Sequence, residues 1–122
     1  MHTYAFEKLQ VWQDARVFCV YMYRVTMNFP NEERFGLTNQ IRRAAVSIAS
    51  NIAEGSARKS AKDQAHFYQM AYSSTLEVLN QLLICYDLKF ITTDQYTDSR
   101  NKIEMITNKL NALRKTIVTA GY

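Results

Sequence analysis

Thr38-Asn39-Gln40-Ile41-Arg42-Arg43-Ala44-Ala45-Val46-Ser47-Ile48-Ala49-Ser50-Asn51-Ile52-Ala53-Glu54-Gly55 is the stretch from which the fold can be read. Ile41, Ala45, Ile48 and Ile52 recur at alternating spacings of four and three, so they share one face of an amphipathic helix. Thr38 is suited to cap its start and Gly55 to stop it. Ala44, Ala45, Ser47, Ala49, Ser50 and Ala53 make the helix thin on most sides, which lets neighbouring backbones approach closely; alanine is also the best helix former. Arg42 and Arg43 lie near the positive end of the helix dipole and Glu54 near the negative end, each against the local field. Such residues are expected to have specific partners. Glu77 is the candidate partner for Arg42 or Arg43, and Gln40, Ser47 and Asn51 share the same polar edge, as expected of a hydrogen-bonded seam.

Working outward, the same spacing predicts a helix over about residues 8–28, with Val11, Ala15, Phe18, Met22, Val25 and Phe29 on one face and Pro30 as its stop. A third helix opens at Ser60, whose side chain can cap while Asp63 reaches back, and continues to about Phe90. A fourth opens at Thr92 with Gln95 in the reciprocal capping position; Tyr96, Ile103, Ile106, Leu110, Leu113 and Ile117 follow a heptad interrupted at Ser99. No strand-like alternation competes. Short connections make neighbours antiparallel, so the fold class expected is all-α: an up-down-up-down four-helix bundle occupying residues 1–122 as one domain.

The third helix carries more apolar surface than one bundle can cover. Phe67, Ala71, Ser74, Val78, Cys85 and Leu88 mark one stripe, and Tyr68, Tyr72, Leu79, Leu83, Tyr86 and Phe90 a second, displaced by about 100°. In the first helix Trp12, Cys19 and Tyr23 sit beside the main stripe in the same way. Subunit contacts are the economical reading of both.

The longest apolar run, Val17 to Tyr23, is far shorter than the roughly 20 residues a membrane-spanning helix needs. The start of the chain lacks the features of a secretory signal, so a cytoplasmic protein is expected, with Cys19 and Cys85 as reduced core thiols. The net charge of +4 is unevenly spread. Residues 42–62 set Arg42, Arg43, Arg58, Lys59 and Lys62 against Glu54, and residues 99–122 set Arg100, Lys102, Lys109, Arg114 and Lys115 against Glu104. This polarity suits an anionic partner such as RNA or DNA, although cations on helices are often only a solvated face.

Catalytic and metal chemistry find no constellation. Asp63-x-x-His66 occurs once, where a di-iron bundle needs paired Glu-x-x-His motifs and further inward glutamates. There is no Cys-x-x-Cys and no glycine-rich phosphate loop. No enzyme, cofactor or metal is expected. Two non-enzymatic roles stay open: nucleic-acid binding through Arg42, Arg43, Arg58, Lys59 and Lys62 with support from the fourth helix, or a structural adaptor whose oligomer engages another protein.

The Gln40-Ile41-Arg42-Arg43-Ala44-Ala45 and Asn51-Ile52-Ala53-Glu54-Gly55 elements resemble the four-helix-bundle proteins encoded within intervening sequences of bacterial 23S ribosomal RNA genes. Phe6, Leu9, Val11, Trp12, Gln13 and Ala15 extend the resemblance towards the start. Phe29, Pro30, Glu33, Phe35, Gly36 and Leu37 continue it, as do Phe67, Ala71, Ser74 and Glu77. The chain is also similar in fold to the accessory variability determinant of diversity-generating retroelements, a basic pentamer that works with a reverse transcriptase and RNA. The resemblance implies a homopentameric ring and no particular reaction. It departs from the family pattern at Tyr72-Ser73, where a small or basic residue followed by glycine is the rule.

Overall fold

The computed structural model describes residues 1–119. Among them are four α-helices and no strand: α1 (Gln10–Thr26), α2 (Leu37–Ser56), α3 (Ala61–Asp87) and α4 (Thr93–Thr119), with short 3-10 turns at Ala5–Lys8 and Asn31–Glu33. Each helix packs on two neighbours in the order α1, α2, α3, α4 and back to α1, and the diagonal pairs do not meet. The result is the antiparallel square expected from the short connections.

The core is drawn from one stripe per helix. Phe18, Met22, Ile41, Ile48, Ile52, Val78, Leu82, Ile103, Ile106 and Leu110 are shielded from solvent. In α3 the buried line runs through Tyr68, Ala71, Thr75, Val78, Leu82 and Cys85, between the two stripes expected from the sequence. Phe67 is only half-buried and Leu88 is exposed. Thr75 enters the core because its hydroxyl donates to the Ala71 carbonyl at 2.8 Å. Thr26 does the same to Met22 at 2.8 Å and Ser99 to Gln95 at 2.7 Å, so three polar residues are buried with their hydroxyl protons satisfied.

Helix α2 begins at Leu37, and Thr38 is not its cap. The Glu33 carboxylate takes that role by accepting from the Leu37 N–H at 3.2 Å. Gly36 makes room for it, since a Cβ there would lie 2.7 Å from Glu33 Oε1. Gly55 does not end the helix either, which continues to Ser56. It is a glycine because the ring of Tyr68 packs against it: a Cβ would meet Tyr68 Cε1 at 2.7 Å and Phe67 Cβ at 3.1 Å. The close α2–α3 approach expected from the small residues is therefore present, and the Ser47 and Ser74 hydroxyls bond across it at 3.0 Å.

Both expected caps downstream form. Ser60 Oγ accepts from the Asp63 N–H at 3.1 Å, and Thr92 and Gln95 exchange side chain to backbone bonds at 2.9 and 3.1 Å. Helix α3 stops at Asp87, short of Phe90, because Lys89 turns left-handed at φ 64° and the Phe90 N–H then bonds the Cys85 carbonyl at 2.9 Å. That is the position glycine usually takes in such a helix end. Lys89→Gly is accordingly expected to stabilise the protein by about 1 kcal/mol, read as a higher urea midpoint at unchanged m-value.

Candidate functional site

The five candidate cations do not form one patch. Arg42 lies in the second turn of α2 and Arg58 just past its end at Ser56, about 20 Å along the axis at 1.5 Å per residue, so they belong to opposite halves of the bundle. Arg42 is committed to architecture. Its Nε donates to Thr26 Oγ1 at 2.9 Å, its Nη2 to the Tyr23 carbonyl at 3.2 Å, and its guanidinium lies 4.6 Å from the Tyr23 ring centroid. The misfit with its own helix dipole is thereby resolved, because the Tyr23 carbonyl belongs to the negative end of antiparallel α1. The expected pairing with Glu77 does not occur: among the described residues Glu77 forms no ion pair with Arg42 or Arg43, and both Arg43 and Glu77 are exposed. Glu54 meets Arg58 at 3.9 Å, a solvent-exposed pair of little energetic weight. The polar seam is present in Asn51, whose amide donates to the Ser47 carbonyl at 2.9 Å and lies 3.0 Å from the Ser47 hydroxyl.

The cations of α4 are also largely engaged. Lys109 bonds Asp14, Lys102 lies 4.5 Å from the Tyr21 ring centroid, Arg114 lies 5.8 Å from that of Tyr72, and Arg100 donates to the Tyr96 hydroxyl at 2.8 Å. The first three contacts tie α4 to α1 and α3, and the Arg100–Tyr96 bond lies within α4.

The turn between α2 and α3 groups its cations closely in sequence, whereas the other cations without a partner among the described residues, Lys8, Arg24, Arg43 and Lys89, are spread singly. Arg58 stacks on Phe67 with 4.4 Å to the ring centroid and keeps 46% of its side chain exposed. The Gln64 amide donates to the Arg58 carbonyl at 3.0 Å, and Ser60 caps the first turn of α3, so the backbone carrying Arg58, Lys59 and Lys62 is held in place. Lys59 and Lys62 are exposed and have no partner among the described residues. The antiparallel order brings the start of α1 to this same end, with exposed Lys8 preceding it. Lysines serve as point charges for phosphate, while a guanidinium stacked on an aromatic ring keeps one face for a second planar group.

Two further surfaces lie on the sides of the bundle. A trough of about 320 Å³ between α1 and α2 is lined by Trp12, Cys19, Val46, Ala49, Ser50 and Ala53 among others. On the α3–α4 side Leu76, Leu83 and Tyr86 are exposed, beside half-buried Tyr72 and Leu79. The surplus apolar arcs of α1 and α3 are therefore real surfaces of the single chain. Both thiols are held neutral by burial, with Cys85 pushed up to about 11 and Cys19 also raised. Among the described residues no cluster of three metal-ligating side chains occurs, and no helix is long and apolar enough to cross a membrane.

Sequence reasoning found the turn cations from their spacing, but not the separation of Arg42 from them. The signal was the dipole misfit, which holds for Arg42 and left its partner's identity open, whereas Arg43, subject to the same argument, is exposed with no partner among the described residues. The trough is formed by two helices and had no signal in either one beyond their small and aromatic residues.

Nothing among curated proteins matches the chain. Among solved structures it is similar to a protein of unknown function from the S23 ribosomal protein family of Bacteroides thetaiotaomicron VPI-5482. That match has a TM-score of 0.78 at 25% identity and covers 86% of this chain and 98% of the other. The model of the 23S rRNA-intervening sequence protein family matches residues 7–112, which include both α2 motifs. On that match, the chain belongs to the 23S rRNA-intervening sequence protein family.

Proposed function

We infer that this chain is a non-enzymatic, cytoplasmic, self-assembling bundle that binds RNA or other nucleic acid through phosphate contacts at the α2–α3 turn. The observation that carries the reading is the state of the turn: Lys59 and Lys62 lack partners within the chain, and Arg58 is ordered on Phe67 beside them. Arg42, Arg100, Lys102 and Lys109 are held by rings, hydroxyls or carboxylates, while the other cations without a partner among the described residues, Lys8, Arg24, Arg43 and Lys89, are spread singly along the chain. Three cations give a modest electrostatic contact by themselves. A homopentameric ring, as the family resemblance implies, repeats the contact in each subunit and raises affinity by avidity.

The test compares wild type with Arg58→Ala/Lys59→Ala/Lys62→Ala for polarisation binding to labelled structured RNA and to duplex DNA in low salt. The variant is expected to bind more weakly by on the order of tenfold or more, with unchanged helicity and native mass, since the three side chains are exposed. Equal binding by both proteins would contradict the assignment of the turn. No binding by a well-formed wild-type oligomer would contradict nucleic-acid binding altogether and favour the adaptor role, for which the exposed apolar flanks argue.

A further inference from the structure

The 3-10 turn Ala5–Lys8 packs against the end of α2 and leaves a cavity of about 350 Å³ there, lined by Tyr4, Phe6, Ala53, Glu54 and Ala57 among others. That volume lies at the lower end of the range for small-ligand sites, roughly 300–1,000 Å³. Its walls are held by contacts of their own. The Tyr4 N–H donates to the Glu7 carboxylate at 2.9 Å, the Gln13 amide donates to the Glu7 carbonyl at 2.9 Å, and Phe6 meets Trp12 edge-on with ring centroids 4.9 Å apart. The turn is thereby tied to α1 on one side and packed on α2 on the other.

The lining joins apolar surface to one free acceptor. Tyr4 is 60% exposed, and Ala53 and Ala57 contribute only methyl groups, so a flat ring can enter and stack. The Ser56 hydroxyl already donates to the Ala53 carbonyl at 2.8 Å. The charged group in the lining is Glu54, whose carboxylate accepts no hydrogen bond from the described residues and has only its 3.9 Å contact with Arg58. An ionised carboxylate can only accept, so the ligand atoms that face it must carry N–H or O–H groups.

Arg58 follows Ala57 directly, and Lys59 and Lys62 lie in the same turn. A ligand that fills the cavity and reaches the turn is therefore a hydrogen-bond donor at one end and an anion at the other. A nucleotide has that polarity. Among the bases, guanine presents two adjacent donors, N1–H and N2–H, to the two oxygens of one carboxylate; adenine and cytosine set a donor beside an acceptor, and uracil sets one donor between two carbonyls. In a duplex this edge of guanine is already paired.

We propose that the cavity takes an unpaired guanine of a single-stranded nucleic acid, with Glu54 accepting from its N1–H and N2–H while its flanking phosphates lie on Arg58, Lys59 and Lys62. This rests on the nucleic-acid reading above and names the ligand class as single-stranded.

Polarisation binding tests it with three labelled probes: a short oligouridine carrying one central guanine, the same strand with adenine in that place, and the guanine strand annealed to its complement. Wild type is expected to prefer the guanine strand over each of the other two by about tenfold. Ala57→Phe fills the cavity and is expected to lose both preferences while still binding the duplex. Glu54→Ala is expected to lose the preference for guanine over adenine and to keep that for single strands; removing its charge favours every phosphate backbone alike, so the ratio is the readout. Both positions are exposed, circular dichroism checks helicity, and Ala57→Leu carries the test if the phenylalanine variant loses it. Equal binding of the three probes by wild type, or preferences that survive in Ala57→Phe, overturns the base site, and a guanine preference that survives in Glu54→Ala overturns the role of the carboxylate. Failure to bind any probe overturns the nucleic-acid reading itself, so the failures are distinguishable.

Discussion

Phe18→Ala is expected to lower the unfolding free energy by about 4 kcal/mol, while Val17→Ala one position away shifts it by about 0.5 kcal/mol or less. Phe18 has no exposed surface and sits in the one cluster that all four helices share. Truncation removes the transfer energy of a benzyl group and leaves a hole that its neighbours, fixed on four separate helices, only partly fill. Val17 is 59% exposed on the outer α1–α4 side, so shortening it opens no cavity. The pair of measurements, by urea unfolding with two-state analysis, asks whether the apolar run from Val17 to Tyr23 divides into core and surface at helical period. Equal losses for the two variants would contradict the register of α1.

Gly55→Val is expected to destabilise the protein by about 3 kcal/mol, on the order of 10 °C in Tm. Any Cβ at this position overlaps the buried Tyr68 ring at 2.7 Å, and the ring has no free direction because Tyr68 is only 3% exposed. A branched side chain therefore pushes α2 and α3 apart where Tyr68 packs on the α2 backbone. Gly55→Ala falls between wild type and valine, since the gain in helix propensity, roughly 1 kcal/mol, offsets part of the clash. A glycine serving only as a helix stop would tolerate both changes far better. The result thus separates close packing from termination as the reason for the glycine.

The α2 motifs of the family resemblance acquire a physical account from these contacts. Arg42 bonds the last turn of α1, Ser47 and Asn51 form the polar seam, Ile41, Ile48 and Ile52 fill the core, and Gly55 accommodates Tyr68. These residues specify the bundle. The phosphate contacts proposed above lie just beyond them, at Arg58, Lys59 and Lys62.

The apolar faces of α1 and α2 were legible in the sequence because their stripes are made of apolar residues at helical spacing and little else competes. Helix α3 was harder to read. Its buried line passes through Thr75, which looks polar until its hydroxyl bonds the carbonyl one turn back. Its flank carries Leu83 and Tyr86, which are apolar but exposed, beside Tyr72, which is half-buried against the core. Periodicity therefore returned two stripes where the fold has one stripe and one exposed ridge. The Arg42 contact was hidden for a different reason. It joins two helices across a turn, and the dipole argument can require a partner without saying which neighbouring helix supplies it. The cap of α2 was misplaced because Glu33, outside the helix, performs it.

The most direct test of phosphate binding at the turn is the slope of log binding constant against log salt concentration for the wild-type oligomer and for Arg58→Ala/Lys59→Ala/Lys62→Ala. Neutralising at least three phosphates gives the wild type a slope of about −2 or steeper, and the variant a slope shallower by a comparable amount. A wild-type affinity that does not change with salt, or a variant with the same slope as wild type, would contradict it.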